Sequence, residues 1–182
     1  MLDLLKTWAG NNRPFLLFIG RFLLTFFALS GLYSLYLNYI ELQGDLDLVT
    51  YWISRGSYEM ARFVGVADCE WACFIDGCYV GRPGHTVNII EGCNGLRLAI
   101  VYAAYVIGIG GWNWNSLLQA TIGLVVVQIF NIIRIGSLIA LLDGGGVVYF
   151  FFIKYVFGVA IYGSVVVLWL LKPKIDKLLG VK

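Results

Sequence analysis

Charged residues are scarce in this 182-residue chain, where Asp, Glu, Lys and Arg together make up 13% of the sequence. That is about half the share of a soluble globular domain, while 60% of the residues are hydrophobic. An ordinary soluble domain is therefore excluded, and a net charge of +2 is too small for a nucleic-acid-binding surface. We predict an integral membrane protein that has no nucleic-acid partner.

Histidine occurs once, at His85, and cysteine four times, at Cys69, Cys73, Cys78 and Cys93. No two cysteines have the Cys-x-x-Cys spacing of thiol oxidoreductases, and cysteines of an outward loop with a single histidine form disulfides more often than zinc sites. We therefore predict no metal and no cofactor. We expect a disulfide among Cys69, Cys73 and Cys78, which leaves Cys93 free, although the pairing itself does not follow from sequence.

Four apolar runs are long enough to cross a bilayer, which takes roughly 20 residues; they lie at about residues 15–40, 94–112, 117–142 and 147–171. Basic residues flank the first and last runs, and such residues mark the cytoplasmic side of a membrane. We therefore predict a single domain, residues 1–182, in the cytoplasmic membrane. Both termini are expected in the cytoplasm and the loop 41–92 outside.

The outward loop contains two structural signals. Hydrophobic residues recur every three or four positions over residues 48–65, which predicts an amphipathic helix. That helix either lies on the membrane surface or packs against the loop that follows. Asp76-Gly77 between apolar runs predicts a β-hairpin turn. The predicted fold is an all-α integral membrane protein with four transmembrane helices, an interfacial amphipathic helix and a small extracytoplasmic β-hairpin.

Cys93 stands where the polar loop meets the second apolar run, between a glycine and Asn94-Gly95. A free cysteine there is either a nucleophile or a small buried hydrophobe. Arg97, Arg134 and Lys154 fall near the same outer surface, although long basic side chains also snorkel to the headgroups. A nearby cation favours a reactive thiolate and stabilises an oxyanion. This arrangement favours the nucleophile.

Arg134 is the strongest candidate for a functional residue among the three cations, because Gln128 and Asn131 precede it at three-residue steps. The three side chains lie within about 120° around a helix of 3.6 residues per turn. A polar stripe of this kind on a membrane helix faces other protein rather than lipid.

The run Glu91-Gly92-Cys93-Asn94-Gly95-Leu96, followed by Asn131-Ile132-Ile133-Arg134-Ile135 late in the next span, resembles the exosortase/archaeosortase family of membrane-embedded cysteine transpeptidases. The resemblance covers roughly residues 76–171. It implies that Cys93 is the nucleophile and Arg134 the catalytic arginine. It also implies a membrane-anchored substrate protein that has a C-terminal membrane helix followed by a basic cluster. The substrate would be cut just outside that helix, and its new carboxyl end would be transferred to an acceptor.

The family has a third catalytic residue, usually histidine, near the outer start of the last span, where this chain has no histidine. Lys154 and the loop residue His85 are the candidates for protonating the leaving amine. The residues expected to shape the pocket or bind the substrate are Glu91, Asn94, Arg97 and Asn131.

Two other functions fit the same residues. Four outward cysteines on four spans also suit a thiol oxidoreductase that passes electrons to a membrane quinone. The second alternative is a non-catalytic scaffold whose intramembrane cations bind substrate tails or lipid headgroups.

Overall fold

The computed structural model describes residues 12–142 and, beyond them, five single helical positions: Tyr155, Val159, Gly163, Val167 and Leu170. This part of the chain is mostly helical and carries one small antiparallel sheet. Its elements are the helices α1 (Arg13–Gln43), α2 (Leu48–Phe63), α3 (Leu96–Gly110) and α4 (Trp114–Leu141), the strands β1 (Glu70–Phe74), β2 (Gly77–Arg82) and β3 (His85–Ile89), and a 3₁₀ turn at Glu91–Cys93.

Among the described helices, α1 and α4 are long and apolar enough to cross a membrane. Their 31 and 28 residues correspond to about 46 and 42 Å, more than the roughly 30 Å of a bilayer's hydrocarbon core. The span predicted at 94–112 is only partly met, because α3 is apolar but has 15 residues and is about 22 Å long. The span predicted at 147–171 lies outside the described residues, apart from the single helical positions.

Helix α3 lies between α1 and α4 and packs against both. A Cβ on Gly108 of α3 would lie 3.0 Å from the Phe18 ring of α1, and the Tyr102 ring of α3 covers Gly123 of α4. Small residues let helices approach closely in lipid, where apolar burial alone gives little drive to associate. These glycines therefore hold the three helices in one layer.

Helix α2 packs against α4 and the sheet, which confirms the prediction that it packs on the loop that follows. Its buried face is made mostly of small residues: Thr50, Ile53, Ser54, Ser57 and Ala61. The large apolar side chains of Trp52 and Phe63 are 67% and 86% exposed. Contact of that outer face with the membrane surface stays a prediction. The close approach of the two helices explains why small residues face α4, because a Cβ on Gly136 of α4 would lie 2.7 Å from Met60 Cγ.

The sheet has the strand order β1-β2-β3, and the predicted Asp76-Gly77 turn joins its first two strands. Cys73 and Cys78 lie opposite each other across that hairpin and form a disulfide, which confirms the predicted loop disulfide. We call α2 and the sheet together the cap. The largest buried apolar cluster joins the cap to the last turns of α4. The cap is therefore anchored on the same part of α4 that carries the predicted site residues.

Candidate active site around Cys93

Cys93 ends the 3₁₀ turn that joins β3 to α3. The turn closes through the Cys93 backbone N–H, which donates to the carbonyl of Ile90 at 2.8 Å. Gly95 then precedes α3 in the left-handed region, at a φ of 73°, where an L side chain costs about 1–2 kcal/mol. A Cβ at that position would lie 3.2 Å from the Asn131 amide nitrogen. Glycine at 95 therefore lets the Cys93 turn lie directly against α4.

Asn94 ties this turn to two other elements. Its side chain has no exposed surface, and its amide nitrogen donates to the Tyr33 hydroxyl of α1 at 2.9 Å and to Asp47 Oδ2 at 3.0 Å. Its amide oxygen accepts from the backbone N–H of Leu96 at 2.9 Å. Asp47 is in turn the N-cap of α2 and accepts from the Thr50 backbone N–H at 3.0 Å. The structure therefore favours the pocket-shaping role predicted for Asn94 over direct contact with a substrate.

Asn131 holds the same turn from the side of α4. It is fully buried, and its amide nitrogen donates to the Cys93 carbonyl oxygen at 2.8 Å. Cys93 itself carries a free thiol, is partly exposed and packs on the edge of the cluster beneath the cap. The backbone of Cys93 is thus fixed, and the residue is free and only partly buried, an arrangement that suits a nucleophile.

The Cys93 turn is recessed between the long helices. Tyr33, which binds Asn94, lies ten residues before the end of α1 at Gln43, and Asn131 lies ten residues before the end of α4 at Leu141. At 1.5 Å per residue, both helices extend about 15 Å beyond the level of the turn. The site therefore lies in a recess between α1, α4 and the cap rather than at the helix ends.

Two of the three predicted cations lie near this recess. Arg134 is partly exposed and follows Asn131 by three residues, which places it about 4.5 Å further along α4 and about 60° around it. Arg97 is exposed on the first turn of α3. Lys154 lies outside the described residues. The structure thus brings Arg134 and Arg97 to within about a turn of the residues that hold Cys93.

His85 lies at the far end of β3 from the Cys93 turn. It is exposed and pairs with Arg82 at the β2–β3 turn, whereas Ile89 at the other end of the strand leads into Cys93. Four residues of strand separate His85 from Ile89 by about 13 Å. The geometry therefore does not bring His85 to Cys93, and the catalytic role predicted for it has no structural support.

Glu91 lines an open cleft of about 720 Å³ between the end of α1, the α1–α2 loop and the β1–β2 turn. Four exposed carboxylates line this cleft, those of Glu41, Asp45, Asp76 and Glu91. Because Glu91 belongs to the Cys93 turn, this acidic surface reaches that turn. Among the described residues, no group of three or more His, Cys, Asp or Glu side chains could hold a metal ion.

Cys69 is the second free cysteine, and it is buried under the cap. Burial raises the pKa of its thiol, and nearby Arg62 and Arg82 oppose that shift more weakly. We expect N-ethylmaleimide to label Cys69 far more slowly than Cys93 at neutral pH, and faster as the pH rises, since the thiolate is the reactive form. Peptide mass spectrometry after timed labelling measures both rates.

The raised pKa of the Cys69 thiol also sets how its contribution to folding stability depends on pH. Its folded pKa lies above the unfolded value, so the stability contributed by the protonated thiol is present at neutral pH. That contribution is lost as the pH rises through the folded pKa. Rapid labelling of Cys69 in the folded protein at neutral pH would contradict this assignment.

The partners that hold the Cys93 turn do not follow from the sequence. Asp47 before the apolar run of α2 carries a recognisable N-cap signal, but its bond to Asn94 joins residues 47 positions apart. Tyr33 carried no signal, because a tyrosine in an apolar run is ordinary.

No protein-family model, curated protein or solved structure matches this chain, so the family resemblance stays a prediction.

Proposed function

We propose that the protein is a membrane-embedded cysteine peptidase or transpeptidase that cuts an anchored protein next to its membrane helix. One observation carries this proposal: the free thiol of Cys93 stands on a turn that the buried amides of Asn94 and Asn131 fix from opposite sides. Such a support suits a nucleophile, because attack requires a near-constant position relative to the substrate carbonyl.

The proposed orientation places the Cys93 end of the bundle outside the cell, with both termini in the cytoplasm and four segments crossing the cytoplasmic membrane. One feature supports it, at the opposite end of the bundle. Trp112 and Trp114 of the α3–α4 turn are 63% and 76% exposed, as expected for aromatic residues at either membrane interface. Arg13 begins α1 at that same end, and basic residues favour the cytoplasmic side.

In the proposed reaction the Cys93 thiolate attacks the scissile carbonyl carbon, a C–S bond forms and negative charge develops on the carbonyl oxygen. The guanidinium of Arg134 stabilises that oxyanion, and the N-terminus of α3 adds a partial positive charge beside it. The C–N bond then breaks, and the leaving amine takes a proton, for which Lys154 is the candidate. Neutral Lys154 then takes a proton from the attacking water or acceptor amine, which adds to the thioester carbonyl, and the C–S bond breaks to restore the Cys93 thiolate.

The substrate in this proposal is a protein with a C-terminal membrane helix, which lies in the bilayer beside the recess. Its extended segment reaches Cys93 from outside, past Glu91 and Arg97. The acidic cleft supports transfer to an amine, because an amine acceptor arrives as a cation and is attracted by the four carboxylates.

Thiol mapping in native membranes tests the proposal. Cysteines are alkylated before and after reduction and then identified by peptide mass. We expect Cys93 to be labelled rapidly without reduction, and Cys73 and Cys78 only after reduction. Rapid labelling of Cys93 supports the nucleophile and justifies a substrate search.

The Cys73–Cys78 disulfide favours one alternative function, the quinone-linked thiol oxidoreductase. That function requires electrons to pass by exchange between a second thiol and this disulfide. Detection of Cys93 in a disulfide with Cys73 or Cys78 would overturn the peptidase and favour the oxidoreductase. Mutation of Cys93 distinguishes the non-catalytic scaffold from the peptidase, because a scaffold tolerates loss of the Cys93 thiol.

A further inference from the structure

Two neighbouring amide side chains of α4 are left with unused hydrogen-bonding groups. Both the nitrogen and the oxygen of the Gln128 amide are buried and have no hydrogen-bond partner in the part of the chain that the structure describes. The amide oxygen of Asn131 is in the same state, although its nitrogen binds the Cys93 carbonyl. One donor and two acceptors are therefore unpaired in adjacent turns of one helix.

These groups lie directly beside the Cys93 turn. A Cβ on Gly95 would be 3.2 Å from the Asn131 nitrogen and 3.5 Å from the Gln128 oxygen. Gln128 precedes Asn131 by three residues, so it lies about 4.5 Å further from the Leu141 end of α4. The unpaired groups thus begin at the level of Cys93 and continue deeper along the bundle.

Unpaired amides are costly in this setting, since buried polar groups in proteins are nearly always hydrogen-bonded and apolar surroundings offer no water. Substitution by an apolar residue would remove the cost, so retained amides point to a ligand that supplies the partners. That ligand must offer at least one carbonyl and two N–H groups in a short stretch. Polypeptide backbone has this composition.

We propose, building on the function above, that Gln128 and the Asn131 oxygen bind the backbone at the start of the substrate's membrane helix. The first four N–H groups of any helix lack partners within the helix, and inside a bilayer they need acceptors from elsewhere. The two amide oxygens supply acceptors, and the Gln128 nitrogen donates to a carbonyl that precedes the helix. Gln128 is therefore a positioning residue, which sets the scissile bond at Cys93, one turn above.

Recognition through backbone groups is tolerant of sequence, which makes a generic probe sufficient. The probe is a synthetic peptide with a fluorescent polar segment, about 20 leucine and alanine residues to span the bilayer, and a terminal lysine cluster. Its binding is measured by fluorescence in phosphatidylcholine nanodiscs that carry the Cys93→Ser protein. Ester analogues, in which one first-turn N–H is replaced by oxygen, test each donor separately.

The expected result is that an ester analogue that lacks a bound N–H binds the Cys93→Ser protein about tenfold more weakly, the effect of one lost hydrogen bond. In the Gln128→Met, Cys93→Ser protein the amide peptide and the analogue that lacks the Gln128-bound N–H should bind alike, whereas an analogue that lacks the Asn131-bound N–H should stay weaker. Gln119→Met in the same background is the matched control on α4 and should keep the difference between the peptides. Equal binding of amide and ester peptides by the Cys93→Ser protein, or no binding of the probe, overturns the proposal.

Thermal stability separates positioning from a structural role. Methionine has nearly the same volume as glutamine and leaves no unpaired amide, so Gln128→Met should unfold at the same or a higher temperature. A lower unfolding temperature would indicate that Gln128 serves the fold and would overturn the proposal. Peptide binding and thermal unfolding do not depend on the Cys93 thiol. Thiol mapping can therefore contradict the peptidase function without affecting the test of the Gln128 site, and the two failures are distinguishable.

Discussion

Changing Cys93 to serine is expected to reduce cleavage of an anchored substrate by about a thousandfold or more, because a hydroxyl in place of the thiol is a far poorer nucleophile without a dedicated base. The measurement is an immunoblot of a membrane-anchored reporter that the wild-type protein shortens. The fold should be unaffected, since serine is similar in size and the turn is held through the Cys93 backbone groups.

Cys69→Ala is the matched control for this experiment. Cys69 is also a free cysteine, but it is buried under the cap, so its loss should leave cleavage nearly unchanged. In the same assay, Arg134→Ala should slow cleavage by about 10²–10³-fold, the usual effect of removing one oxyanion-stabilising group. Reporter cleavage retained by Cys93→Ser would eliminate the peptidase and leave the scaffold as the surviving function.

The second large effect is expected at Asn94, where substitution by leucine should destabilise the protein by about 3–4 kcal/mol. The leucine removes two donated bonds, to Tyr33 and Asp47, and the bond accepted from the Leu96 N–H. Asp47 is 4% exposed, so its carboxylate cannot recover the lost donor from water. The unfolding midpoint in detergent should fall by about 10 °C.

Asn88→Ala provides the control for Asn94. Asn88 is exposed on β3 and donates to the Tyr79 hydroxyl at 3.3 Å, and surface substitutions of this kind change stability by about 0.5 kcal/mol or less. Asn94→Asp should be at least as harmful as leucine at neutral pH, because it places a second carboxylate beside Asp47. An unfolding midpoint unchanged in both Asn94 variants would show that the network does not hold the Cys93 turn.

The predicted elements were largely right where a local signal exists. Asp76-Gly77 marked the hairpin, the apolar runs marked α1 and α4, and the loop cysteines indicated a disulfide. These features depend on residues near one another in the chain. The length of α3 was overestimated, because hydropathy does not record that Gly95 and Gly111 break the helix with positive φ angles.

Which face of α2 is buried does not follow from the sequence, for a related reason. Hydrophobic periodicity identifies the side that avoids water, but in contact with a membrane that side can face outward. The face that packs against α4 is chosen by size, since Ser57 and Gly136 allow an approach that larger residues would prevent. Size complementarity between two helices cannot be read from either helix alone.

The sequence by itself determined the length and apolar character of α1 and α4, the strand turn and the candidacy of Cys93, because composition and short motifs carry those properties directly. Only the tertiary structure decided how the candidate is supported: Asn94 bound to Tyr33 and Asp47, Asn131 bound to the Cys93 carbonyl, and a Gln128 amide with no partner among the described residues. The physical reason is that a hydrogen bond depends on separations of a few ångströms in space. Partners far apart in the chain are brought to that distance only by the packing of α1, α2 and α4 around the turn.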